Sequence, residues 1–272
     1  MQPGCRRLIA GFLFAAASLC LSWPLPTQAD EPSPAAVAAW IKTQIKDERL
    51  KVEFYDPLKP PKRFPGWTDF EFRVIYEYDY RFAMHTKKKQ KIGVIEIRPK
   101  FTRVDMPVTN RTLLPNSLEG ETWYQSALAK HELEHIRVGL HPRLVLLTRH
   151  LVEKIEVIEV PAASLSEVTR EWIAKHVDEA VAIRKDAVQA FVTRINAKID
   201  SVTRHGATPY PDLDLFLDSL YLKENLDEFK FPYLSEVLDL IESPDYKKAR
   251  IAIPEPGDKS GPVKSGKSTE KS

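Results

Sequence analysis

Five consecutive residues, His131-Glu132-Leu133-Glu134-His135, match the pattern His-Glu-x-x-His. On a helix, a spacing of four residues places both imidazoles on one face, one turn apart, so that both can bind the same ion. The glutamate after the first histidine then lies beside the open coordination position, where it can take a proton from metal-bound water. We therefore predict that His131 and His135 bind Zn²⁺ and that Glu132 is the general base and acid of a hydrolase. Glu134 is predicted to point away from the metal, into solvent.

A catalytic zinc ion usually has three protein ligands and one position for water, so a third ligand must come from elsewhere in the chain. His205 is the preferred candidate, because it continues the apolar stripe of a long predicted helix and should face inward where that helix ends. His141 is nearer to the motif, but the glycine of the long metzincin pattern is displaced here by one position, to Gly139. Asp200 lies off the stripe, so it is a weaker candidate for a ligand and an alternative candidate for orienting an imidazole.

The elements that carry these residues begin with β-structure. From Phe70 to Met84, apolar and aromatic residues alternate with mostly charged ones, which predicts one long, half-buried strand. Residues 92–106 are its predicted antiparallel partner, in which Pro99 is tolerated only at an edge or a bulge. A short helix over residues 33–47 is predicted to precede this β-hairpin or small antiparallel sheet.

The second half of the chain is predicted to be helical. The motif helix begins at one of two capping-box spacings, Asn116 with Glu119 or Thr122 with Gln125, and Gly139 ends it. Further helices are predicted over residues 142–157, 164–203, 213–226 and 233–242. The predicted fold class is therefore α+β, with a small antiparallel sheet followed by a zincin-like helical region that contains a long helical hairpin.

Residues 1–29 have the organisation of a secretory signal peptide. Arg6 and Arg7 precede an apolar run, and small residues precede a predicted cleavage after Ala29. The apolar run of about 16 residues is shorter than the roughly 20 that span a bilayer. Both cysteines, Cys5 and Cys20, lie in this segment, so the mature chain is predicted to form no disulfide. We expect a secreted or periplasmic protein.

Charge and hydropathy exclude two classes of partner. The chain has 40 Lys and Arg against 38 Asp and Glu. Removal of residues 1–29 takes away two arginines and no acid, which leaves 38 of each sign. We therefore expect no binding to nucleic acid and no membrane span in the mature chain. The predicted organisation is a single zincin-like metallohydrolase domain over residues 30–250 and a disordered tail over residues 251–272.

Two motifs resemble those of a bacterial family of predicted secreted zinc-dependent proteases of unknown function. The family has a tryptophan ahead of its His-Glu-x-x-His helix, as Trp123 precedes the run from Leu128 to Ile136 here. Its closing motif, Tyr-Asp-x-x-Thr-x-His-Gly, is similar to residues 199–206, which match it at Asp200, Thr203, His205 and Gly206.

The chain departs from this family at two positions. Ile199 replaces the tyrosine of the closing motif, and Glu134 stands where the family usually has glycine. Gly66-Trp67-Thr68 and residues 92–107 are loosely similar to the family's β-hairpin region, so the resemblance spans about residues 52–207. It implies a zincin-like protease and draws attention to Asp200, Thr203 and His205.

The leading hypothesis is a zinc peptidase that hydrolyses a peptide or protein substrate, with cell-envelope proteins among the candidates. A strand of the hairpin would bind an extended peptide by edge pairing. Two alternatives remain open from the sequence. One is a non-catalytic, metal-stabilised module that binds a cell-envelope partner, and the other is a zinc amidase that acts on peptidoglycan with the same ligands.

Overall fold

The computed structural model describes residues 32–59, 65–87, 92–161, 164–251 and 253. The predicted signal peptide of residues 1–29 and nearly all of the predicted tail of residues 251–272 lie outside these ranges. The described helices and strands confirm the α+β fold class. No helix within the described ranges combines the length and apolar character that crossing a membrane requires.

The described residues form two three-stranded sheets and a larger set of helices. The strands are β1 (Leu50–Tyr55), β2 (Trp67–Phe72), β3 (Ile75–Lys87), β4 (Ile92–Asp105), β5 (Val108–Pro115) and β6 (Ile158–Pro161). The α-helices are α1 (Pro34–Lys46), α2 (Ala127–Gly139), α3 (Pro142–Glu153), α4 (Arg170–Thr203), α5 (Leu213–Ser219), α6 (Lys223–Glu228), α7 (Leu234–Glu242) and α8 (Pro244–Lys248). Single 3₁₀ turns lie at Asn116–Leu118, Trp123–Gln125 and Leu165–Glu167.

The prediction of one continuous strand from Phe70 to Met84 is wrong. β2 pairs with β5 in one sheet, whereas β3 pairs with β4 in the other. The break lies opposite Pro107, whose carbonyl accepts a hydrogen bond from the N–H of Arg73 at 3.2 Å. Pro107 has no N–H with which to continue the ladder, so the pairing is interrupted there. The alternation of side chains continues through the break and therefore does not reveal it.

Strand order decides which edges are open for further pairing. The order is β1-β5-β2 in the first sheet, with β1 parallel and β2 antiparallel to β5, and β3-β4-β6 in the second. β2 is therefore an edge strand. In the second sheet Pro99 lies opposite Tyr80 and beyond the residues of β4 that pair with β6, Val94 to Ile97. This confirms the predicted edge position of Pro99.

The motif helix α2 starts later than either predicted capping box. The segments at Asn116 and Thr122 form 3₁₀ turns, in which Glu119 and Gln125 donate to carbonyls three residues back. Ser126 is the actual N-cap, and its hydroxyl accepts the N–H of Ala129 at 3.1 Å. Both predicted starts are therefore wrong, because the capping-box spacing is used by isolated turns rather than by the helix.

The 34-residue helix α4 connects two hydrophobic cores. Buried residues in its first half, such as Val177 and Val181, pack with the second sheet, and those in its second half, such as Val192 and Ile195, pack with α2, α3 and the C-terminal helices. The second half also lies along α2. α4 is therefore the element that brings a distant part of the chain to the His-Glu-x-x-His motif.

Candidate metal centre

One face of α2 buries polar side chains in an otherwise apolar interior. His131, Glu132 and His135 are all buried, although they are polar, and Leu133 and Ile136 fix the helix in the main core. The spacing of four residues brings the two imidazole rings within 4.7 Å, measured between centroids. Because unpaired polar groups are costly to bury, each of these side chains needs a partner from another element.

Three potential ligand atoms form a nearly equilateral triangle. His131 Nε2 and His135 Nε2 are 3.2 Å apart, and Asp200 Oδ1 lies 3.1 Å from each of them. A tetrahedral ion with bonds of about 2.0–2.1 Å holds its ligand atoms about 3.3–3.4 Å apart. The triangle is only slightly tighter than this, so the group of His131, His135 and Asp200 can hold a metal ion.

α4 supplies more than the carboxylate. Asn196, Asp200 and Thr203 lie on one face of this helix, and each contacts a histidine of α2. Asn196 Oδ1, an acceptor, lies 3.2 Å from His135 Nδ1, so this nitrogen carries the proton. His135 Nε2 is therefore left with the lone pair that a metal requires.

Thr203 orients the other imidazole in the same way. Its hydroxyl donates to the carbonyl of Ile199 at 2.8 Å and lies 3.4 Å from His131 Nδ1. Since a hydroxyl has only one hydrogen, Thr203 accepts from His131 Nδ1 rather than donating to it. Both histidines thus present Nε2 to the triangle.

Carboxylates from both helices lie close to the histidines of the triangle. Glu134 was predicted to be solvated, but its side chain is only 12% exposed and its Oε2 lies 3.5 Å from His131 Nδ1. Burial lowers the pKa of His131, but the contacts with Asp200 and Glu134 outweigh this and raise it to about 9. Burial raises the pKa of Asp200, yet the two histidines together hold it well below its usual range. The cluster therefore favours a positive charge at its centre.

Glu132 lies at the side of the triangle, in contact with the segment that opens β2. Its Oε2 accepts a hydrogen bond from the hydroxyl of Thr68 at 2.6 Å, and burial raises its pKa. A Cβ at Gly66 would lie 2.3 Å from Glu132 Oε1, so a side chain at this position would displace the carboxylate. A cavity of about 230 Å³ lies between residues 65–68 on one wall and α2 and α4 on the other.

His205 lies at this cavity but outside the triangle. α4 ends at Thr203, and Arg204 and His205 both adopt left-handed φ values, 52° and 56°. The backbone thus turns out of the helix before His205, so the helical spacing that predicted an inward side chain does not apply to this residue. Its side chain is 52% exposed, and its Nδ1 lies 3.6 Å from Asp200 Oδ1. Metal binding by His205 stays a prediction, and the buried group contains Asp200 instead.

His141, the nearer alternative, lies away from the centre. It is fully buried as the N-cap of α3, where its Nδ1 accepts the N–H of Arg143 at 3.1 Å. Burial lowers its pKa to about 3, so it is a neutral structural histidine. Its ring packs against Tyr221 at a centroid distance of 5.3 Å.

Two residues of the site were missed or ranked low on the sequence. Asp200 was judged by its distance from the apolar stripe, although the closing motif of the family resemblance contains it. Asn196 was not singled out, and its only signal is its spacing of four residues before Asp200 on the same helix.

No protein-family model, curated protein or solved structure matches this chain. The resemblance to secreted zinc-dependent proteases therefore stays a prediction. The interpretation of the site depends on the geometry of its own residues.

Proposed function

We propose that this protein is a zinc-dependent peptidase in which His131, His135 and Asp200 bind the ion and Glu132 is the general base. The observation that carries the proposal is the triangle of ligand atoms beside a buried glutamate. Two imidazole nitrogens with one carboxylate oxygen suit zinc, whereas magnesium and calcium prefer ligand sets made of oxygen alone. A set of three protein ligands also leaves one coordination position for chemistry.

The chemistry divides between the ion and Glu132. Zinc would lower the pKa of a bound water and polarise the carbonyl of the scissile bond. Glu132 takes the proton of the attacking water and passes it to the leaving nitrogen. The burial that raises the pKa of Glu132 suits this role, because a carboxyl group with a raised pKa holds a proton more readily between the two transfers.

The edge strand β2 supports an extended peptide as the substrate. Among the described strands, β2 pairs only with β5. Arg73 donates to Pro107 in this register, and the alternation of an antiparallel ladder turns the backbone groups of Thr68 and Phe70 toward the open edge. This edge begins at the cavity wall. A peptide that adds to β2 would therefore pass the proposed ion in extended form.

The test combines metal analysis with turnover. Wild-type protein and Glu132→Gln are loaded with zinc, analysed by mass spectrometry for metal content and incubated with a mixed peptide library. We expect about one zinc ion per chain in both proteins and cleavage only by the wild type, since the glutamine cannot take the proton. Glu153→Gln, at the exposed end of α3, is the matched control and should cleave normally. Equal cleavage by Glu132→Gln, or no zinc in the wild type, would refute the proposal.

A further inference from the structure

Two threonines on neighbouring strands connect the first sheet to the proposed general base. Thr68 on β2 lies directly opposite Thr112 on β5. Their hydroxyl oxygens are within hydrogen-bond distance, and the hydroxyl of Thr68 reaches Glu132 Oε2 at 2.6 Å. Thr112 is fully buried and Thr68 is half-buried. The three side chains thus form a continuous chain of hydrogen bonds from the sheet to α2.

The direction of these hydrogen bonds follows from the number of available protons. An ionised carboxylate only accepts, so the hydroxyl proton of Thr68 is directed to Glu132. Thr68 has no second proton, so Thr112 is the donor in the contact between the two threonines. The donation from Thr112 polarises the hydroxyl of Thr68 and strengthens its hydrogen bond to the carboxylate.

The two oxygens of Glu132 are therefore not equivalent. Oε2 is occupied by Thr68, whereas Oε1 lies against Gly66, a residue of the cavity wall without a side chain. Since Glu132 lines the cavity and its Oε2 is engaged, a proton exchange there would fall to Oε1. A carboxylate free to rotate would present either oxygen, in more than one orientation.

We propose that Thr68, supported by Thr112, is a positioning residue that holds Glu132 Oε2 and so directs Oε1 toward the attacking water. This inference rests on the proposed peptidase function and deepens it. It assigns a role in the reaction to a cross-strand pair that would otherwise only fasten β2 to β5.

The first test separates positioning from fold stability by changing the hydroxyl and the methyl group of Thr68 in turn. Thr68→Val keeps the shape and removes the hydroxyl, so we expect full zinc content and kcat lower by about 10–100-fold, the usual cost of losing an outer-shell contact. KM should change by less than about twofold, because the effect lies in proton transfer rather than in binding. Thr68→Ser keeps the hydroxyl and should restore kcat to within about threefold of the wild type.

Two further variants complete this comparison. Thr112→Val should lower kcat less than Thr68→Val, because Thr112 acts only through Thr68. Thr109→Val, an exposed position on the same strand β5, should leave kcat and KM unchanged. Normal kcat in Thr68→Val, or a serine variant as impaired as the valine variant, would overturn the proposal.

A second test does not depend on turnover. Urea unfolding of zinc-loaded wild type, Thr68→Val, Glu132→Gln and the double variant forms a double-mutant cycle. Thr68→Val should lower the urea midpoint by about 0.4 M more in the wild-type background than in the Glu132→Gln background. The reason is that a hydrogen bond to a charged acceptor contributes more to stability than one to a neutral acceptor. An additive cycle would overturn the Thr68–Glu132 contact. Zinc binding without turnover in the wild type would instead overturn the peptidase function.

Discussion

Replacement of Asp200 should abolish tight zinc binding, whereas replacement of His205 should not. Asp200 Oδ1 lies 3.1 Å from both Nε2 atoms of the motif histidines and completes their triangle. His205 is half-exposed and lies outside the triangle, with its Nδ1 3.6 Å from Asp200 Oδ1. The two variants therefore distinguish Asp200, the third ligand indicated by the structure, from His205, the third ligand predicted from the sequence.

The expected magnitudes follow from these positions. Loss of an outer partner of a metal ligand costs about 10–100-fold in affinity, which sets the upper limit for His205→Ala. Asp200→Ala removes a bond and also the negative charge nearest the ion, so its cost should exceed this limit and reach at least about 1,000-fold. At about 1.4 kcal/mol per factor of ten, that is roughly 4 kcal/mol or more. The two effects should differ by at least about tenfold.

The affinities can be measured by competition with a chromophoric zinc chelator at constant pH. Asp178→Ala is the matched control, since it removes a carboxylate from the same helix about 33 Å away along the axis. Its carboxylate contacts Tyr76 and not the cluster. If His205→Ala loses zinc and Asp200→Ala keeps it, the triangle is not the metal site. If both variants bind zinc as the wild type does, neither residue is a ligand.

Three other outcomes follow from the structure. Removing zinc with a chelator should lower the melting temperature in scanning fluorimetry, and adding zinc back should restore it, because an ion that binds the folded state stabilises it. An unchanged melting temperature would argue against a bound ion. Gly206→Ala should lower both zinc affinity and the urea midpoint, since its Cβ would lie 2.9 Å from His131 Cβ, at a φ of +80° that costs about 1 kcal/mol or more for alanine. In zinc-free protein, stability should fall as the pH drops below about 6.5, because the unfolded imidazole of His141 takes a proton that the folded one, with a pKa of about 3, refuses. His141→Asn keeps the helix cap and should make the free energy of unfolding, measured by urea titration, fall less steeply at low pH, by up to about 1.4 kcal/mol per pH unit. Identical pH profiles for the variant and the wild type would contradict the neutral state assigned to His141.

The sequence predicts those elements whose ends are determined by residues within the element or next to it. Ser33 caps α1 and Pro34 opens it, so its bounds were predicted closely. The break between β2 and β3 could not be predicted in this way, because its cause, Pro107, lies far along the chain, between the partner strands β4 and β5. The region predicted as one helix over residues 213–226 is divided into α5 and α6, with Tyr221 between them at a φ of 63°. Tyr221 is buried there and donates to the carbonyl of Val138, a tertiary contact that no local pattern records.

The candidate site shows the same limit at the level of single residues. The spacing within the motif sufficed to place His131 and His135 together, because it depends on one helix. The ranking of Asp200 and His205 depended on which face of α4 is inward, and apolar periodicity identified only the apolar face. Val202, counted in that stripe, is 38% exposed, whereas the next residue, Thr203, is buried. The inward face of α4 is polar at its end because the surface of α2 that it meets is polar.

The charges between α2 and α4 would favour a bound cation. Glu132, Glu134 and Asp200 bring three carboxylates to two imidazoles at the edge of the main hydrophobic core. Removing such groups from water costs several kcal/mol for each charge, and only good pairing offsets that cost. The two histidines can pair with the carboxylates only by taking up protons, which accounts for the raised pKa of His131. A divalent cation would meet the same carboxylates with more charge in one position. The proposed ion would therefore join α2 and α4 as well as prepare the cavity for hydrolysis, so that binding and folding are coupled at this contact.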